Sequence, residues 1–307
     1  MRMAKLGNLD VSAIGLGCNN FGRALDAASS AAVVHAALDA GVTYFDTASN
    51  YGEGQSESFL AAGLGSRRRE VVIGTKFGVA VPGWEGSGGT SPAYVRQATE
   101  RSLRELDTDY IDILMIHFPD PDTPIQDTLE AMSALVDEGK VRQIGCSNFD
   151  PAQLAEALDA SETMGLAGLT CDQVQYSMLH REPETNGLDR MCLDRGVGLL
   201  PFYPLGNGLL TGKTRRDQPP MGRLQMDRYQ DFLTDENFDI AEGVEAFAGA
   251  RGLSMVEVAL GWLLAQEAVP SVTPGATTAE QVASNVRAAE WAPSGDDLAE
   301  LEKVLGG

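Results

Sequence analysis

Eight short, β-rich apolar runs punctuate this chain, most of them followed by a stretch with helical periodicity. That alternation constrains the fold more than any other feature. The runs are Val11–Gly17, Val42–Phe45, Val71–Lys76, Tyr110–Ile116, Val141–Ser147, Cys171–Tyr176, Val197–Phe202 and Pro270–Thr273. Several lack polar alternation, as strands buried on both faces should. Helical patterns lie between them at Ser30–Asp39, Ser56–Leu64, Pro92–Leu106, Asp127–Glu138, Pro151–Met164 and Asn186–Arg195. Pro92–Leu106 opens with Ser91 in the N-cap position and Pro92 at the first helical position. Its Val95, Ala98, Leu103 and Leu106 fall near one face. Asp127–Glu138 puts Leu129, Met132, Leu135 and Val136 on one side, and Gly139 follows as a stop signal.

Strands alternating with helices predict parallel βαβ units. Eight of them predict an α/β chain closed into a single (β/α)8 TIM barrel rather than an open doubly wound sheet. The 307 residues form one domain on this reading, with a β-hairpin at the N-terminus. The widest gap follows the seventh run. It holds an irregular stretch, Thr214–Thr234, and two helices, Glu236–Ala250 and Ser254–Gln266; a last helix covers Gly295–Leu305.

Charge and composition exclude several partners. With 44 acidic and 23 basic residues the net charge is −21, which argues against nucleic acid or an anionic membrane. No apolar run reaches the ~18 residues of a membrane span, and the opening MRMAKLGNLDVSAIG has no signal-peptide core. The four cysteines are scattered without a CxxC pair, and the histidines are only His35, His117 and His180. Reduced thiols in the cytoplasm and no metal site are expected. A monomer is the default.

Glycine patterns invite nucleotide readings that fail on spacing. Gly15-Leu-Gly17-Cys-Asn-Asn-Phe-Gly22 and Gly206-Asn-Gly208-Leu-Leu-Thr-Gly212 are not GxGxxG, and Gly212-Lys213-Thr214 would need glycine where Asn207 stands. Asp120-Pro-Asp122 lacks calcium-loop spacing.

In a barrel, the C-terminal ends of the strands carry the active site. The second run ends in Phe45-Asp46-Thr47 with Tyr51 just beyond, the third in Gly74-Thr75-Lys76, and the fourth in Met115-Ile116-His117. Four polar groups thus converge on one mouth. A lysine there could be an ion-pair partner and a loop tyrosine merely structural; together they suit proton donation. The ordinary phenol pKa of ~10 is too high for ready exchange. An ammonium at Lys76 would lower it, Asp46 would orient that ammonium, and His117 could hydrogen-bond the oxygen on which charge develops.

The blocks FDTASNYG, GTKFG, DILMIHFPDPDTP, GKVRQIGCSNF, PFYPLGNGLLTGK and PGATTAEQVASN, in that order across nearly the whole chain, resemble the aldo-keto reductase superfamily, in its bacterial branch related to potassium-channel β-subunits. The resemblance implies a barrel binding a nicotinamide cofactor in extended form. It implies that the catalytic tetrad is Asp46, Tyr51, Lys76 and His117. It implies carboxamide contacts from Ser147, Asn148 and Gln173, with Phe202 standing where tyrosine or tryptophan usually stacks. It places Tyr203, Pro204, Leu205, Gly206, Asn207, Gly208 and Lys213 along the pyrophosphate and Gly275, Thr277, Gln281 and Asn285 at the adenosine, with Gly17, Cys18 and Asp46 also against the cofactor.

The activity implied is NAD(P)H-dependent reduction of a small aldehyde or ketone, with Tyr51 as proton donor. Candidate substrate contacts are Asn20, Phe21, Tyr51, Trp84, His117 and Phe118; Trp84, in VPGWEGSGG, reads either as a lid or as a surface aromatic. The chain ends soon after its last helix, which suggests an open pocket. NADPH is expected over NADH, because Lys213, Arg215, Arg216 and Arg223 crowd one segment as a flap, and Arg223 aligns with an arginine that meets the adenosine phosphate; NADH stays possible because PGATTAEQVASN has no basic residue. Two rivals remain open at this stage: a Schiff-base lyase using Lys76, and a cofactor-sensing regulatory or scaffold protein.

Overall fold

The computed structural model describes residues 1–306. The chain opens with an antiparallel hairpin, β1 (Met3–Leu6) and β2 (Leu9–Ser12). A parallel sheet follows: β3 (Leu16–Gly17), β4 (Tyr44–Asp46), β5 (Val72–Phe77), β6 (Ile111–Ile116), β7 (Val141–Ser147), β8 (Leu169–Gln175) and β9 (Gly198–Phe202), in sequential order. Helices α1 (Ala27–Asp39), α2 (Ser56–Leu64), α3 (Pro92–Glu105), α4 (Ile125–Asp137), α5 (Pro151–Met164), α6 (Glu182–Thr185) and α7 (Leu188–Arg195) lie between the strands. After β9 come α8 (Asp235–Arg251), α9 (Met255–Leu264), α10 (Ala279–Arg287) and α11 (Gly295–Val304). The order and parallel register bear out the barrel architecture.

Seven strands curl far enough for an eighth segment to close the ring. On one side Leu199 N–H donates to Ala268 O at 2.8 Å. On the other, Gly15 N–H donates to Val272 O at 2.8 Å and Val272 N–H to Ala13 O at 2.9 Å. The run Pro270–Thr273 is therefore present as isolated bridges, Ile14 to Val272 and Gly17 to Gly275, rather than as a full strand. The run Val11–Gly17 is likewise split between hairpin and barrel. Ser12 causes the break: its Oγ donates to Ile14 O at 2.7 Å and accepts from Thr43 N–H at 2.9 Å, doing with a side chain what a strand neighbour does with backbone.

The hairpin plugs one end of the barrel. Its Leu6, Leu9 and Val11 form one buried cluster with the inward residues Tyr44, Val72, Ile113, Met115, Cys171 and Leu200. Burying these apolar side chains stabilises by about 1.5–3 kcal/mol for each large one. The plug leaves the opposite end, where strands end and helices begin, as the open mouth.

Several local expectations need correction. The Asn186–Arg195 pattern is helical over α7, which begins after Gly187 in the left-handed region (φ 84°), and a short helix not read from the sequence, α6, precedes it. Helix α10 falls in a stretch read only as a motif. Ser91 sits at the N-cap of α3 but its side chain makes no capping bond. Thr214–Thr234 contains 3₁₀ turns at Gly222–Gln225 and Asp227–Phe232, with buried Leu224 and Tyr229 anchoring the segment. No single helix among the described residues is long and apolar enough to cross a membrane.

At the start of the strands, Asp112 ties three of them together. Its Oδ2 accepts from Ile73 N–H at 3.0 Å and from the largely buried Arg68 at 2.9 Å, and its Oδ1 accepts from Arg142 at 2.8 Å. Removing one partner of a buried pair strands the other charge. Asp112→Ala should therefore lower unfolding stability by roughly 3–5 kcal/mol. Urea titration followed by circular dichroism measures it, and a loss under ~1 kcal/mol, the range of exposed pairs, would contradict this role.

Candidate active site

Three strand ends deliver the ionisable groups to the mouth. Asp46 closes β4, Lys76 lies one residue from the end of β5, and His117 directly follows β6. Tyr51 stands on the turn after β4, and the turn depends on glycine. Gly52 has φ 57°, and a Cβ there would sit 2.1 Å from Phe21 O. Only glycine fits, so the chain must fold back at that point and hold Tyr51 over the strand ends. The sequence reading passed over Gly52; its only signal was the adjacent Tyr-Gly pair.

Lys76 is fully buried and each of its three ammonium donors is used. They meet Asp46 Oδ1 at 2.8 Å, Thr47 O at 2.7 Å and Tyr51 OH at 3.4 Å. Burial works against its charge, but Asp46 and Tyr51 outweigh that and raise its pKa above the ordinary value. The lysine is favoured as an ammonium, the form without a lone pair, which speaks against the lyase reading.

The electrostatics of Tyr51 depart from expectation. Burial raises its pKa, Lys76 lowers it and Asp46 raises it; the net direction is upward. The ammonium thus moderates a burial effect and does not produce the lowered phenol that the sequence suggested. His117 goes the other way: burial, then the Lys76 charge, push it down to about 3. At neutral pH the mouth holds a neutral phenol and a neutral imidazole whose rings meet edge to face at 5.8 Å. His117 Nδ1 is buried without a protein partner.

Beside this cluster lies a group of amides. Gln173 Nε2 donates to Asp46 Oδ1 at 3.1 Å. Ser147 Oγ donates to Gln173 O at 2.7 Å. Asn148, in the left-handed region at φ 62°, donates through Nδ2 to His117 O at 2.9 Å and to Ser147 Oγ at 3.0 Å. The unspent side-chain atoms of Asn148 and Gln173 are amide oxygens, suited to accept from a carboxamide.

The far side of the mouth is built by the segment after β9. Phe202 and Tyr203 meet edge to face at 5.1 Å, and Tyr203 has φ 51°. Pro204 and Leu205 lead into the turn Gly206–Thr211, where Gly206, Asn207 and Gly208 have φ of 53°, 54° and 108°. Asn207 is buried, and neither polar atom of its amide has a partner. A buried amide left unpaired is costly. That orphan, in a turn of left-handed backbone suited to anions, fits the phosphates of a dinucleotide.

Arg223 reaches back across the opening. It donates to Asn19 Oδ1 at 3.3 Å and Asn20 Oδ1 at 3.4 Å, and lies over the rings of Tyr203 at 5.2 Å and Tyr229 at 5.8 Å. Tyr229 joins Tyr203 through their hydroxyls at 3.3 Å, a contact the sequence gave no sign of. Arg215 pairs with Glu245, and Arg216 with Asp235, Asp239 and Glu242. These two arginines fasten the segment to α8, while Lys213, Arg223 and Arg228 form no salt bridge among the described residues.

Other expected contacts are scattered. Gly17 and Cys18 use their N–H groups on Pro274 O and Asp46 O. Gly275 lies beside Asn20, and Gln281 Oε1 accepts from Thr277 N–H at 2.8 Å. Asn285 is buried on α10, bordering a small void with Ile14, Gly15 and Leu16. Phe118 is half exposed and stacks on His117 at 5.1 Å. Phe21 has no exposed surface and belongs to the core beneath its loop, not to a pocket wall. Trp84 packs on Tyr94 at 5.4 Å and on Arg101 at 5.0 Å, facing a groove of about 460 Å³ along α3 whose lining includes none of the strand-end residues.

Comparison with known proteins agrees with this arrangement. The model of the Aldo/keto reductase family matches residues 13–305. A probable voltage-gated potassium channel subunit beta of Arabidopsis thaliana is 31% identical over 93% of this chain and 89% of its own. An L-glyceraldehyde 3-phosphate reductase of Escherichia coli (strain K12) is 33% identical over 91% and 84%, and a probable aldo-keto reductase 1 of Glycine max is 32% identical over 98% and 88%. With a barrel closed as described and a match running almost end to end, the chain belongs to the aldo/keto reductase family, and with it to the nicotinamide-dependent oxidoreductases.

Proposed function

We propose that this protein is a cytoplasmic NADPH-dependent carbonyl reductase, taking aldehydes or ketones to alcohols with Tyr51 as the proton donor. The observation that carries the reading is the Tyr51 hydroxyl 3.4 Å from an ammonium that Asp46 holds at 2.8 Å, at the mouth of a barrel. When bound, the nicotinamide supplies the hydride. The chain's own residues do the rest. Tyr51 stays a neutral phenol through neutral pH and gives its proton to the substrate oxygen. Lys76 then stabilises the phenolate left behind, and Asp46 keeps Lys76 charged and in place. Neutral His117 fixes the same oxygen. Ser147, Asn148 and Gln173 hold the carboxamide, Phe202 offers its ring face, Asn207 and Lys213 meet the pyrophosphate, and Thr277, Gln281 and Asn285 border the adenosine. Asn20 and Phe118 flank the carbonyl compound, which is small or varied in shape. A purely cofactor-sensing protein, the reading suggested by relatives named as channel subunits, would have no use for a proton donor so arranged.

Tyr51→Phe should lower kcat for a good aldehyde at least ~10²-fold and leave the cofactor dissociation constant unchanged. Initial rates over an aldehyde panel with NADPH, paired with fluorescence titration, decide it; near-normal turnover would remove Tyr51 from the mechanism. Incubating the wild type with aldehyde and borohydride should leave the mass at Lys76 unaltered, because the ammonium is not a nucleophile. An adduct there would restore the lyase.

Cofactor choice rests on Arg223, whose guanidinium suits a phosphate bidentately. Arg223→Ala should weaken NADPH binding by about 1.5–3 kcal/mol, the range for charged hydrogen bonds, and leave NADH nearly untouched. Both dissociation constants must be measured at one salt concentration. Equal losses, or a wild type preferring NADH, would refute the assignment.

A further inference from the structure

Behind the amide cluster sits a carboxyl group with no part in the chemistry above. Asp172 lies on β8 directly before Gln173, and the register pairs it with Cys146 while Gln173 pairs with Ser147. Side chains alternate along a strand. Gln173 faces the mouth, so Asp172 faces the layer between strands and helices. It is fully buried, no arginine, lysine or histidine pairs with it, and neither carboxylate oxygen completes a hydrogen bond. A bare buried carboxylate is one of the more expensive things a core can hold. A fold that keeps one needs a reason.

The surroundings supply it. The polar hydrogens nearest Asp172 belong to the Phe149 backbone N–H and the Cys146 thiol, and the thiol itself donates to Cys171 O at 3.7 Å. That N–H belongs to the residue after Asn148, at the turn where the chain leaves β7 in a left-handed conformation. Asn148 N–H is spent on Gln173 O at 2.9 Å. The turn is thus held from the front by Gln173, while Asp172 stands behind it with both oxygens still unpartnered.

We propose that Asp172 is a positioning residue: in its ionised form it draws in the Phe149 N–H, fixes the Ser147–Asn148 turn, and so sets the grip on the cofactor carboxamide, making that grip dependent on pH. The inference rests on the carboxamide reading of Ser147, Asn148 and Gln173.

The titration falls in a useful range. Burial pushes the Asp172 carboxyl up to about 7; the Cys146 thiol and the Phe149 N–H pull it down, and the charge of Asp150 adds to the rise. The other titratable groups near it are thiols: Cys146 on β7 and Cys192 from α7, and Cys171, which precedes it on β8 and points the other way, into the barrel. Burial pushes all three up, Cys171 to about 12, so they stay neutral. His117, at about 3, is already neutral. Asp172 therefore gains its charge as pH rises through about 7, and the turn is held above that point and released below it.

NADH is the probe, since the extra phosphate of NADPH itself titrates near pH 6. The dissociation constant of NADH for the wild type should rise about five- to tenfold as pH falls from 8 to 6. Asp172→Asn should bind NADH about tenfold more weakly at pH 8, with no further change at pH 6, and should keep kcat at saturating cofactor within about threefold. In the cofactor-free protein, amide hydrogen exchange at Phe149 should be slow at pH 8 in the wild type and, after correction for intrinsic rates, faster in the variant. A flat wild-type profile, or an Asp172→Asn variant that keeps the wild-type slope, overturns the proposal even if the variant is merely less stable. If the variant does not fold, the wild-type NADH and exchange profiles decide alone. Failure of NADH and NADPH to bind at any pH sinks the functional reading instead, and the exchange profile still tests the Asp172 contact.

Discussion

The buried pair of Lys76 and Asp46 is the interaction on which the site depends. Two charges taken out of water cost more than they return unless every remaining donor and acceptor is met. Here the ammonium donors and Asp46 Oδ1 are met by Thr47 O, Tyr51 OH and Gln173 Nε2, so the pair recruits the backbone and the phenol of the loop after β4 and the amide of a distant strand. Each recruited group has a reason to be where it is only because the pair is there. The same network explains why Tyr51 and the amide cluster share one wall: Asp46 Oδ1 accepts from both Lys76 and Gln173.

Low dielectric then sets the charge state of everything nearby. Burial raises Tyr51 and lowers His117, in each case toward the neutral form. The buried positive charge at the mouth, Lys76, acts in opposite ways on its neighbours. It favours the phenolate of Tyr51, softening the effect of burial, and it disfavours the imidazolium of His117, adding to it. The mouth therefore holds a neutral phenol and a neutral imidazole beside a buried ammonium.

Much of this was legible in the sequence because it depends on period and position. Strand ends are visible as the last apolar residue of a run, so Asp46, Lys76 and His117 could be placed on one mouth before any coordinates. Helix α4, with a clear apolar face, and helix α5, with a capping box of Asp150 and Gln153, came out close to their observed bounds. What failed depends on contacts between distant segments. The closing strand is only a few bridges because Ser12 and the seam around Val272 share the pairing, and no local pattern encodes that. Phe21 and Trp84 look alike in a sequence, as aromatics in loops after strands, yet one is core and the other lies on α3. The rise of the Tyr51 pKa was missed for the same reason: charge is written in the sequence, burial is not.

The two ends of the barrel divide the energetics between them. At the plugged end, apolar hairpin residues and the Asp112 network bind the strands, and one non-glycine residue, Asp107 before β6, sits in the left-handed region. At the open end, non-glycine residues sit in the left-handed region at Glu53, Asn148, Tyr203 and Asn207, all beside the site. Such backbone costs on the order of 1–3 kcal/mol per residue and persists only where its surroundings over-determine it. Each of these residues is adjacent to, or is itself, a group aimed at the mouth: Tyr51 precedes Glu53 by two, Asn148 is an amide of the cluster, Tyr203 follows Phe202, and Asn207 is the orphan. The strain thus aims side chains where regular strand or helix geometry would turn them away. The apolar plug, far from the chemistry, supplies stability that the mouth does not, and the separation lets the loops vary without loosening the barrel.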